Sequence, residues 1–153
     1  MAVRITNRQR QIAIDRRAVR RLADLILNDH DEHQCDVSIV FARDSLLKEL
    51  NASFRDLDRP TDVLAFPMET EPAEIAAPDA CGPERVLGDV IISVDRAIEQ
   101  SGRYDKTPEQ ELLKLVSHGV LHLLGHDHES PSDRRRMRNL ENRYLRLLSR
   151  EAR

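Results

Sequence analysis

The 153-residue chain contains no tryptophan, two tyrosines and three phenylalanines. So few rings argue against the aromatic platforms on which many single-strand binders stack bases. It has two cysteines, Cys35 and Cys81, and no CxxC spacing. A disulfide framework is therefore not expected, and a reducing cytosol is. No stretch approaches the ~20 consecutive apolar residues of a membrane span. The first residues, "MAVRITNRQRQIAIDRR", lack the apolar run of a secretory signal. The expected location is the cytoplasm, with no membrane partner. The length suits a single domain over residues 1–153, large enough to bury a core without staples.

What the chain does have is charge, unevenly placed. The net charge is -3. Residues 1–24 nevertheless carry seven arginines against Asp15 and Asp24, a balance of +5. Residues 133–153 carry eight arginines against Asp133, Glu141 and Glu151, again +5. The middle is correspondingly acidic. Such asymmetry permits a basic face on an acidic protein. Two helices with solvated arginine faces would account for it equally well.

Hydrophobic spacing sketches the elements. "Val3-Arg4-Ile5" and "Ile12-Ala13-Ile14" read as short strands. "RRAVRRLADLILNDH" places Val19, Leu22, Leu25 and Ile26 at helical spacing. "CDVSIVFA" alternates Val37, Ile39 and Phe41, as a half-buried strand does. "RDSLLKELNASFR" reads as a short helix with a possible cap at Asp44. "PTDVLAFP" is a strand bounded by prolines. Residues 68–85 mix Pro, Gly and acids and read as a loop. "VLGDVIIS" is a further strand, after which Ser93 caps a helix running to about Gln100 and stopping near Gly102.

The clearest helix is "TPEQELLKLVSHGVLHLLG". Thr107 is its expected N-cap, Pro108 suits the first helical position, and Gln110 completes a capping box. Gly125 falls where a left-handed residue ends a helix. "SPSDRRRMRNLENRYLRLL" then repeats Met137, Leu140, Tyr144 and Leu147 at helical spacing. Strands interleaved with helices indicate a mixed α/β fold of modest size.

Four of the six histidines lie in "HGVLHLLGHDH", residues 118–128. His118 and His122 are four apart on the predicted helix, so both rings share one face and can reach a single ion. Gly125 allows a sharp turn that brings His128 back as a third ligand. Three histidines leave one tetrahedral position open, the layout of a catalytic zinc site. His126 could replace His128, but it follows Gly125 immediately and would have to point back sharply. Asp127 is either an acceptor for a ligating ring or a turn residue.

Zinc proteases of the HExxHxxGxxH type place a glutamate general base after the first histidine. Here that position is Gly119. A metal alone still lowers the pKa of its water to ~7 and polarises an electrophile. Hydrolysis is thus possible, with proton transfer handled elsewhere, but peptide hydrolysis is disfavoured. "FRDLDRPTDVLAFP" supplies Arg55 and Arg59 just before a strand. A positioned guanidinium holds a phosphate bidentately and stabilises charge developing on it, although Arg55 alone would equally be a surface arginine in a polar loop.

"HGVLHLLGHDH", "LNASFRDLDRPTDVLAFP" and "LGDVIIS" together closely resemble the YbeY family of bacterial ribosomal-RNA maturation factors. The resemblance runs from about Leu50 to His128 and covers the order and spacing of all three segments. It implies a metal-dependent, single-strand-specific endoribonuclease acting on ribosomal RNA, notably the 3′ end of the small-subunit RNA, and in ribosome quality control. Its partners would be single-stranded RNA and the ribosome or its small subunit, with no DNA expected. It implies one zinc ion on His118, His122 and His128, and a catalytic arginine at Arg55. The implied fold is α+β: a small, mostly parallel sheet with an antiparallel edge strand, packed by helices, with the metal in a cleft. Two positions depart from the family pattern. His126 stands where tyrosine is usual, which makes it a rival ligand or a nearby proton donor. Ala65 stands where serine is usual, which removes a hydroxyl from the cleft.

Two other functions compete. One is a metzincin-like protease, against which Gly119 argues. The other is a non-enzymatic ribosome assembly or binding module whose zinc is structural.

Overall fold

The computed structural model describes residues 3–30, 36–55, 62–67, 86–103, 105–126 and 130–151, with backbone alone for 51–55, 67, 86 and 151. The elements are β1 (Val3–Asn7), α1 (Arg16–Asp29), β2 (Asp36–Ala42), α2 (Asp44–Arg55), β3 (Val63–Pro67), β4 (Val86–Ser93), α3 (Val94–Arg103), α4 (Pro108–Leu123) and α5 (Pro131–Glu151).

The strands form one sheet in the order β1-β2-β4-β3. β1 pairs parallel with β2, from Val3 opposite Val37 to Asn7 opposite Phe41. β2 pairs parallel with β4, and its register shifts between Asp36 and Val37. β3 runs antiparallel to β4, with Val63 opposite Ile92 and Ala65 opposite Val90. This is the expected mostly parallel sheet with an antiparallel edge. The edge tolerates Pro67, which has no N–H to give a ladder.

Alternation along the strands splits the apolar residues between two faces. Val37, Ile39, Phe41, Val90 and Ile92 join the larger core, together with Val19, Leu22, Ile26, Val116, Val120 and Tyr144 from the helices. Leu64 and Ala42 turn the other way and pack with Leu47 of α2; Val40, Phe66 and Ile91 surround them. One face of the sheet thus carries the main core with α1, α4 and α5, while α2 supplies the smaller core on the other.

One expected strand is absent. Ile12 is buried, but residues 8–15 form no strand. The Gln9 side chain organises a turn there instead. Its Oε1 accepts from the N–H groups of Gln11 and Ile12, at 2.8 and 3.0 Å, and its Nε2 donates to the Ile12 carbonyl at 2.9 Å. Local side-chain bonds of this kind outcompete a ladder. The chain then enters α1, whose cap Asp15 accepts from the Ala18 N–H. Ser93 caps α3 as expected, accepting from the Arg96 N–H at 3.2 Å, and the helix continues past Gly102 to Arg103. The expected loop at residues 68–85 lies outside the described residues.

Candidate metal centre

Helix α4 carries the histidines, and its ends are set by local chemistry. The Thr107 hydroxyl accepts from the Gln110 N–H at 3.1 Å, and the Gln110 side chain accepts from the Thr107 N–H at 3.0 Å. The capping box is complete, with Pro108 in the first turn. At the other end the His126 N–H reaches the Leu121 carbonyl at 3.1 Å and the Gly125 N–H reaches that of His122 at 3.0 Å. That pair of bonds is a Schellman ending, and it needs the left-handed backbone that Gly125 adopts, with φ of 97°. The helix therefore stops within one turn of His122, as the sequence suggests.

Between the two histidines, Gly119 faces the sheet. A Cβ there would lie 2.4 Å from Cγ1 of Val90 and 3.2 Å from Cγ2 of Val63. Both valines are β-branched, and Val90 is fully buried. Glycine thus lets α4 seat directly on β4 and β3. The position at which a zinc protease keeps its glutamate has no room for any side chain. The missing general base has a packing cause.

His118 and His122 remain half-buried, one turn apart. Nδ1 of His118 lies 3.3 Å from Oε2 of Glu141, which reaches in from α5. Glu141 is only 6% exposed. Its hydrogen bond holds the His118 pKa above the ordinary histidine value, against the opposing effect of burial; the charge of Asp62 acts in the same direction as Glu141. Asp62 immediately precedes β3, so the segment after α2 enters the sheet within electrostatic reach of the histidine.

His126 takes a different direction. Its Nε2 lies 2.9 Å from Nε2 of His30, and the rings meet edge to face at a centroid distance of 5.0 Å. Nδ1 of His30 is 2.8 Å from the Ile26 carbonyl, so that nitrogen carries the proton and donates. The Nε2–Nε2 contact is then a hydrogen bond in which one ring donates and the other accepts, so the two rings cannot both be protonated there. Burial, followed by the charges of His30 and Arg136, keeps the His126 pKa below the ordinary value. Tyr144 of α5 lies beside His30, and its hydroxyl donates to Asp29. The turn after α4 is thereby tied to the end of α1.

Of the residues singled out from the sequence, His118, His122 and His126 are described. His128 and Asp127 lie outside the described residues, as do Arg59 and the side chain of Arg55, whose backbone ends α2. Among the described residues no three His, Cys, Asp or Glu side chains are grouped to hold a metal. The donor chemistry fits zinc nonetheless: two imidazoles share one helix face, and one of them has its Nδ1 on a buried carboxylate, the backing that metal-ligating histidines use. Sequence reasoning missed Glu141, His30 and Asp62. Glu141 had a signal, as the one carboxylate on the apolar stripe of α5 formed by Met137, Tyr144 and Leu148.

Comparison with known proteins decides the family. The family model for endoribonuclease YbeY matches residues 4–149. The chain belongs to the YbeY family. A YbeY endoribonuclease of Syntrophomonas wolfei is 43% identical over 110 residues, covering 72% of this chain and 70% of that one. One from Clostridium beijerinckii is 34% identical over 160 residues, covering 95% and 96%. A solution structure of a Thermotoga maritima protein superposes with a TM-score of 0.63 at 27% identity, covering 97% of this chain and 90% of that one. As in a YbeY fold, a mostly parallel sheet is backed by helices. No helix among the described residues is long and apolar enough to cross a membrane.

Proposed function

We propose that this chain is a zinc-dependent, single-strand-specific endoribonuclease of the cytoplasm. Its substrate would be ribosomal RNA, at the 3′ end of the small-subunit RNA, with a further role in ribosome quality control. Family membership over nearly the whole chain supports RNA phosphodiester hydrolysis. The observation that carries the metal reading is His118, held on α4 with its Nδ1 against the buried Glu141.

His118, His122 and His128 would hold one zinc ion. When bound, zinc supplies a Lewis acid that makes water acidic near pH ~7 and polarises a phosphoryl oxygen. Arg55 would grip the scissile phosphate and stabilise its developing charge. Gly119 leaves no place for a carboxylate base beside the first histidine, which disfavours peptide hydrolysis. A structural role for the ion is disfavoured too, because α4 is already secured by its cap, its Schellman ending and the apolar packing of Leu112, Leu115, Val116, Val120 and Leu121.

The arginines suit an RNA backbone. Arg134, Arg135, Arg136, Arg138, Arg143, Arg146 and Arg150 are all exposed on α5, and none forms an ion pair with a described residue. Arg135, Arg136 and Arg143 line one shallow depression of about 570 Å³ with Ser132 and Asn139. Phosphate contacts by such residues release counterions, so affinity should fall steeply with salt.

The test is cleavage of single-stranded RNA by the zinc-loaded protein, beside a His118→Ala/His122→Ala variant purified identically to control for contaminating ribonuclease. Cleavage by the wild type alone supports the reading. Equal cleavage by both, or by neither, favours an assembly module. Product ends decide between attack by water, which leaves a 5′-phosphate and a 3′-hydroxyl, and attack by the substrate's 2′-hydroxyl, which leaves a 2′,3′-cyclic phosphate.

A further inference from the structure

We propose that Glu141 is the positioning residue of the metal centre, a buried carboxylate on α5 that selects the tautomer and fixes the ring direction of His118 for metal ligation. The inference rests on the zinc reading above and deepens it.

A glutamate that is 6% exposed needs a partner, because a buried carboxylate without one is strongly unfavourable. Its partner among the described residues is the His118 ring, 3.3 Å away at Nδ1. An ionised carboxylate can only accept. The proton of a neutral His118 therefore sits on Nδ1, and Nε2 presents a lone pair on the opposite side of the ring. A histidine that ligates a metal needs that division of labour: one nitrogen free to bind, the other donating to an acceptor that keeps the ring from turning and makes it a stronger donor.

The carboxylate is itself held firmly. Met137, one turn before it, is 2% exposed, and Tyr144, one turn after it, is 1% exposed. Tyr144 pins the helix to α1 through Asp29. Leu148 continues the same buried stripe. Glu141 is thus the one acid on a face that is otherwise apolar or anchored, and it faces the first histidine of the motif. Its two neighbours on the exposed side, Asn142 and Arg143, are in solvent. A glutamate placed for solubility would sit with them.

The test compares zinc affinity, by competition with a chromophoric chelator, in the wild type, Glu141→Gln and Glu141→Met. Gln keeps an acceptor for the Nδ1–H but loses the charge; Met keeps the volume and loses both. Zinc binding by the wild type should weaken by about 10- to 100-fold in Met, with Gln between the two. Nitrogen NMR of the His118 ring in the zinc-free protein, at a pH where the ring is neutral, gives a second readout. The wild type should show the Nδ1–H tautomer, and Met a mixture. A purely structural glutamate would change melting temperature but leave zinc affinity and tautomer alone. Equal zinc affinity in wild type and folded Glu141→Met therefore overturns the positioning role and leaves the zinc reading standing. A wild type that binds no zinc overturns both. If Met fails to fold, Glu141→Ala, which also removes the acceptor, decides by the same two readouts: zinc affinity and tautomer equal to the wild type overturn the positioning role.

Discussion

Helices α4 and α5 face one another across the candidate site, and they carry their information differently. α4 announces itself. Its cap, its proline, its paired histidines and its terminal glycine all lie within nineteen consecutive positions, residues 107–125, and the cap, the proline and the glycine each act on a near neighbour. α5 is longer and nearly polar by composition, with seven arginines on its exposed surface. Its contribution to the site is one carboxylate, 23 residues from the histidine it touches. Local chemistry shapes the ligand helix, while only the tertiary fold recruits the residue that backs it.

The contrast can be broken at the closest contact first. Gly119→Glu should prevent folding, since the new side chain meets Val90 at its first carbon and buries a charge beyond it. Gly119→Ala should still cost about 1–3 kcal/mol by overpacking. Denaturant unfolding of both variants measures this, and a stable Gly119→Glu protein would mean that α4 does not seat on β4 as described. Next comes the outer face of α5. Neutralising Arg135, Arg143 and Arg146 together should weaken binding to single-stranded RNA and flatten its salt dependence, by about 0.7 in slope for each phosphate that the variant no longer neutralises. Zinc affinity should not change. If it fell as well, the two faces of the helix would not be separable.

The anchoring of α5 is a smaller effect. Tyr144→Phe removes the hydroxyl that serves Asp29 and should cost about 1–2 kcal/mol. The sign of its pH dependence follows from the folded-state pKa of Tyr144, which burial and then Asp29 raise above the ordinary 10.0. Its contribution is fully present below that unfolded value and is lost as pH climbs through the folded one. The gap between wild type and Phe should therefore be constant at neutral pH and close in the alkaline range. A gap that widened with alkali would contradict the bond. Smallest is Thr107→Ala at the start of α4, expected to cost about 1 kcal/mol in unfolding free energy and to leave zinc affinity unchanged.

Legibility followed the range of the forces involved. β2, β3 and β4 could be read because alternate residues face opposite cores, and α1 because its apolar stripe repeats at helical spacing. "Ile12-Ala13-Ile14" misled because three apolar or small residues look like a strand, whereas the side chain of Gln9, three positions earlier, turns the backbone. That α2 would lie on the opposite face from the other main helices was not readable from its pattern, since any amphipathic helix can cover either face. At the site, the histidine spacing was plain and the reason for Gly119 was not. Its reason is Val90, brought near by the sheet. The turning of His126 toward His30 was equally hidden, since 96 positions separate them.

The most direct test of the central claim measures zinc content and single-stranded RNA cleavage together, on wild type and His118→Ala/His122→Ala prepared in parallel. The expected result is one zinc per wild-type chain with cleavage, and a folded variant that has lost both. A folded variant that binds no zinc yet cleaves RNA as the wild type does would contradict a catalytic metal centre on α4.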